Sequence, residues 1–117
     1  MIPVTRHASY LRQRVPVRLG SLAADLARIA SFAEILDSAA VESLLEESTA
    51  FIEWCVPDLI NEQVEQAARL VDIQRGLGIW RGLWQKAQTE SERRKLISQA
   101  QAWSDEVLQM SGLLDSA

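Results

Sequence analysis

Apolar residues recur along most of this chain at alternating spacings of three and four, the period of a helix that buries one side. The clearest run is Leu19, Leu22, Leu26, Ile29, Ala33 and Leu36, and its counterpart is Leu96, Ala100, Trp103, Val107, Met110 and Leu114. A helix with a single apolar stripe must cover it, and four such helices can cover one another. The spacing therefore predicts an all-α fold, an antiparallel up-and-down four-helix bundle over residues 19–117, preceded by an irregular arm over residues 1–18.

Proline, glycine and capping residues set the expected boundaries. The first predicted helix opens near Ser21, or one turn earlier at Val17, and ends at about Leu36, with Ala23, Ala27 and Ala30 beside its stripe to admit a close neighbour. The second follows a cap at Asp37 or Ser38 and spans residues 38–55, until Pro57 pushes the preceding residue out of helical geometry. Its inward residues are Val41, Leu44, Leu45, Ser48, Phe51, Ile52 and Cys55; Glu42, Glu46, Glu47 and Glu53 are expected to face outward. The third opens near Asp58 and continues to about Ala87. The fourth begins with the capping box Thr89-Glu90-Ser91-Glu92 and runs to Ser111, where Gly112 supplies a left-handed residue. Connections of roughly two to four residues make consecutive helices antiparallel neighbours.

At 117 residues, with 48% hydrophobic and 24% charged side chains, the chain has the size and composition of one soluble globular domain. No long uncharged apolar run is present, so neither a membrane span nor a secretory leader is expected, and the expected location is cytoplasmic. Cys55 is the only cysteine, which excludes an internal disulfide and reads as a small buried hydrophobe. The net charge of −4 divides unevenly, +4 over residues 1–20 and −8 over the remainder. Arg6, Arg12, Arg14 and Arg18 supply the positive end. Such an arm has two physical uses, binding a nucleic acid or anionic surface, or folding back onto an acidic body. Four sparse arginines interrupted by Pro3 and Pro16 favour the second.

The most unusual segment is Gly76-Leu77-Gly78-Ile79-Trp80-Arg81-Gly82-Leu83-Trp84. Each glycine inside a helix costs about 1 kcal/mol relative to alanine, so either the helix breaks near Gly76–Gly78, giving five helices, or the glycines admit a second backbone at close range. The stripe Leu70, Ile73, Leu77, Trp80, Trp84 and Ala87 stays in step across all three, which favours an unbroken helix. Ile79 and Leu83 project from another side and cannot join that stripe. Apolar residues on two sides of one helix imply two partners, the chain's own bundle and a second copy or another protein. Gly78, Ile79, Trp80, Gly82, Leu83 and Trp84 are therefore the candidate interface, and a homodimer or other homo-oligomer the expected assembly.

Catalytic and metal chemistry leave no comparable trace. One histidine, His7, and no Glu-x-x-His pair exclude a carboxylate-bridged dimetal bundle, and neither zinc spacing, a calcium loop, a Walker loop nor a dinucleotide fingerprint occurs. The pairs Glu42 with Glu46 and Glu62 with Glu65 read as solvated helix faces, and Arg93, Arg94 and Lys95 as part of a mixed-charge face. Gln74 and Ser48 are polar positions within apolar stripes, for which an internal hydrogen bond is the simplest account. No cofactor and no enzymatic activity are expected.

Three segments, Leu19-Gly20-Ser21-Leu22-Ala23-Ala24-Asp25-Leu26-Ala27-Arg28-Ile29, Glu53-Trp54-Cys55-Val56-Pro57-Asp58-Leu59 and Trp103-Ser104-Asp105-Glu106-Val107-Leu108, resemble parts of a small all-helical cyanobacterial family of uncharacterised proteins. The resemblance implies a cytoplasmic accessory role and carries over no site residue.

Overall fold

The computed structural model describes residues 2–116, and side chains over residues 2–114, so that Met1 and Ala117, the outer bounds of the expected arm and bundle, lie outside the described residues. Within them the protein is all-helical: α1 (Val4–Arg12), α2 (Val15–Glu34), α3 (Ser38–Leu59), α4 (Val64–Lys86) and α5 (Glu90–Ser111), followed by a 3₁₀ turn at Leu113–Ser116. The packed pairs of long helices are α2 with α5, α2 with α3, α3 with α4 and α4 with α5; α1 lies on α3. The α2–α5 seam is the most extensive, and the small side chains Ala23, Ala30 and Ala33 in it are buried. The α5 residue Ser104 donates its hydroxyl directly to the α2 carbonyl of Ala23 at 2.8 Å.

Helical period placed most of the core. Leu19, Leu22, Leu26, Ile29 and Ala33 on α2 and Leu96, Ala100, Trp103 and Val107 on α5 are buried. Each run loses its last member: Leu36 is exposed in the left-handed region (φ 60°), and Leu114 is exposed in the 3₁₀ turn. Asp37 caps α3 by accepting from the Ala40 amide, Glu92 N–H donates to the Thr89 hydroxyl, and Gly112 (φ 73°) closes α5, as the capping signals required.

Three boundaries differ from expectation, each at a proline or a charge. The arm is not irregular, because Pro16 sits in the first turn of α2, where a missing N–H costs nothing and the fixed φ already suits a helix. α2 thus starts at Val15, and the residues before it form α1, with Pro3 at its N-cap position. Pro57 does not stop α3, which continues to Leu59. Pro57 cannot serve the Glu53 carbonyl, but both residues lie on the exposed side of the helix, while Leu59 is buried and anchors the extra turn. Asp58 consequently opens no helix; its carboxylate pairs with Arg18 at 2.8 Å, and α4 begins only at Val64. Among the described residues there are five α-helices, but the extra member is α1, since α4 passes unbroken through Gly76, Gly78 and Gly82.

Candidate protein interface

α4 is apolar on two sides because its sequence carries two phases. Leu70, Ile73, Leu77, Trp80 and Trp84 face the core, and the two indoles stack with centroids 5.6 Å apart. Trp80 donates its indole N–H to the Leu96 carbonyl of α5 at 2.8 Å, so both its ring and its polar edge are satisfied inside the protein. The expected interface anchors Trp80 and Trp84 are therefore buried in the chain's own core, stacked on each other with Trp80 tied to α5. Ile79 and Leu83, one turn apart on the opposite side, are 68% and 54% exposed.

The three glycines have different surroundings. A Cβ at Gly76 would lie 2.6 Å from the Trp103 ring, so the absent side chain is what lets α5 bring that indole against α4. Gly78 and Gly82 have open space where a Cβ would point. Among the described residues nothing uses their absent side chains. The candidate surface thus reduces to Gly78, Ile79, Gly82 and Leu83 on the outward side of α4, with Asp72, Arg75 and Lys86 exposed along it. Beside Gly78, a groove of about 390 Å³ runs between α3 and α4, floored by Leu45 and Leu77 and rimmed by Glu42, Glu46 and Arg81; Arg81 is tied to Glu42 at 2.9 Å.

Two of the four arginines of the expected anion-binding arm are paired with carboxylates of the protein itself. Arg6 donates to Glu47 at 3.0 Å and lies over the Phe51 ring. Arg18 is buried, pairs with Asp58 and lies near the Tyr10 ring, while Tyr10 stacks on Phe51 at 4.0 Å and donates its hydroxyl to the Arg18 carbonyl. Arg12 and Arg14 are exposed. His7 stacks on Trp54 at 4.3 Å. The neighbouring Cys55 thiol is fully buried, and burial pushes its pKa up, away from the reactive thiolate.

Beneath α1 lies a charge cluster that helical period did not reveal. Asp25 is only 1% exposed; one carboxyl oxygen accepts from Arg28 at 2.9 Å, and the other has no donor among the described groups. Glu47, expected outward, is half-buried and close enough to Asp25 for the two carboxyls to influence each other's charge. Burial, then that contact with Glu47, pushes the Asp25 pKa up to about 7, against the opposing pull of Arg28 and Arg6. For Glu47 burial acts upward, but the neighbouring Asp25 carboxyl and the hydrogen bond from Arg6 prevail and hold it below the usual range. The signal was present in sequence, since Asp25 continues the inward positions Arg18, Leu22 and Ile29 of α2.

Gln74 donates to the Thr49 carbonyl at 3.1 Å, joining α4 to α3, whereas the buried Ser48 hydroxyl has no partner among the described groups. Among the described residues no helix is long and apolar enough to cross a membrane. No protein-family model, curated protein or solved structure matches the chain.

Proposed function

We propose that this protein is a non-enzymatic helical assembly module whose long helices form an antiparallel up-and-down bundle and which pairs with a second copy through the outward side of α4. The observation that supports it is the pair Ile79 and Leu83, 68% and 54% exposed one turn apart, beside two helical glycines with open space around them. Gly78 and Gly82 each cost about 1 kcal/mol relative to alanine, and a backbone approaching from outside would offset that loss.

Magnitudes set the strength of such a contact. Fully burying a Leu or Ile side chain contributes roughly 1.5–3 kcal/mol, so four half-exposed side chains, two from each copy, contribute on the order of 5 kcal/mol. Association itself costs about 4–15 kcal/mol in lost freedom. The apolar centre alone comes out near break-even at best, so the proposed dimer is weak and concentration-dependent and draws on the polar rim as well. Light scattering on the wild type beside an Ile79→Glu/Leu83→Glu double variant tests the reading. The expected result is a wild-type dimer and a monomeric variant of unchanged helicity, because both substituted positions are solvent-facing in the protomer. A variant that dimerises like the wild type overturns it.

A further inference from the structure

We infer that the two copies meet along α4 in antiparallel register, about a two-fold axis that passes beside Ile79. This inference rests on the self-association reading above and adds the geometry of the pair. Asp72, Ile79 and Lys86 follow one another at intervals of seven residues, all exposed. Seven residues fall only about 20° short of two full turns, so the three lie in a nearly straight line along the outside of α4. An acid stands at one end, a base at the other, and the apolar contact at the midpoint.

In an antiparallel pair centred on Ile79, each residue faces the one equally far on the other side of the centre. Asp72 of each copy then faces Lys86 of the other, so the same ion pair forms twice, as two-fold symmetry requires. Leu83 faces Arg75 of the other copy, whose aliphatic stem can cover it. Gly82 lies between Ile79 and Lys86 and lowers the surface where the second helix crosses. A parallel pair in the same register sets Asp72 against Asp72 and Lys86 against Lys86, which is repulsive at both ends. Asp72 is available for this role, since its contact with Arg75 in the same helix is long, 3.8 Å, with both side chains more than half exposed.

Charge reversal separates the register from the association itself. Sedimentation equilibrium is measured on the wild type, Asp72→Lys, Lys86→Asp and the double reversal Asp72→Lys/Lys86→Asp, with circular dichroism to verify folding. Each single reversal places like charges together twice per dimer and weakens dimerisation by roughly tenfold or more, and the double reversal restores it to within about threefold of wild type. As a second readout, Ile79→Cys gives a covalent dimer under mild oxidation, because position 79 meets its own copy at the axis and the native Cys55 is buried. A dimeric wild type whose double reversal is no better than the single ones, or whose Ile79→Cys form fails to cross-link, overturns the register and leaves self-association standing. A wild type that is monomeric throughout overturns both.

Discussion

A carboxyl with no access to water, one oxygen on Arg28 and the other unpaired near Glu47, makes Asp25 the residue most sensitive to its own proton. Its pKa lies near 7 in the folded protein and at the ordinary 3.8 when the chain unfolds. Between those values the folded state holds a proton that the unfolded state has lost, so stability is greatest at the acid end of that range and falls as pH rises through about 7. Glu47 has the opposite sign, contributing stability above its ordinary pKa of 4.5 that is lost as pH falls further. Thermal melts should therefore show a decline from about pH 5 to pH 8, worth on the order of 2 kcal/mol. Asp25→Asn, which keeps a hydrogen-bond donor near Glu47, should flatten that decline, and an equally steep decline in the variant would remove Asp25 as its source.

At the scale of elements, the glycines of α4 divide by what surrounds them. Gly76→Ala gains helix propensity of about 1 kcal/mol but drives a methyl into the Trp103 ring, whose own packing limits its retreat, so a net loss of on the order of 1–2 kcal/mol is expected. Gly78→Ala meets nothing in the protomer and should gain about 0.5–1 kcal/mol. Urea denaturation of the two variants, each bearing Ile79→Glu/Leu83→Glu to keep association out of the measurement, compares them directly; equal effects at both positions would contradict the assigned environments.

Helical phase made α2 and α5 legible, because an unbroken stripe such as Leu19, Leu22, Leu26, Ile29 and Ala33 has one consistent fold. It also separated Ile79 and Leu83 from the rest of α4, although it could not tell that the indoles of Trp80 and Trp84 turn inward, since both fit either role until the space beside α5 is known. α1 is only partly legible, as a short helical turn around residues 8–14, for a different reason. Its apolar spacing, Val4, Ala8 and Leu11, is exposed, and of its residues only Tyr10 is buried, so the stripe in the sequence is not the side that packs. α1 is held instead by ring stacking and by the Arg6–Glu47 pair, contacts that sequence spacing does not encode. Pro16 and Pro57 misled in the same way: a proline has one meaning in a first turn or on a wet helix face and another in a dry interior, and local sequence does not distinguish them.

For the whole molecule, the same physics that closes the core leaves one side of α4 open. α2, α3, α4 and α5 shelter the Trp80–Trp84 stack and the alanine-lined α2–α5 seam, and that work is complete within one protomer. Ile79 and Leu83 have no part in it. Sedimentation equilibrium of the untagged wild type over a dilution series is the most direct measurement of whether a second copy takes that side. Self-association through α4 gives a mass that rises with concentration from the 13.1 kDa of one chain toward twice that value. A mass that stays at 13.1 kDa up to near-millimolar protein would contradict it.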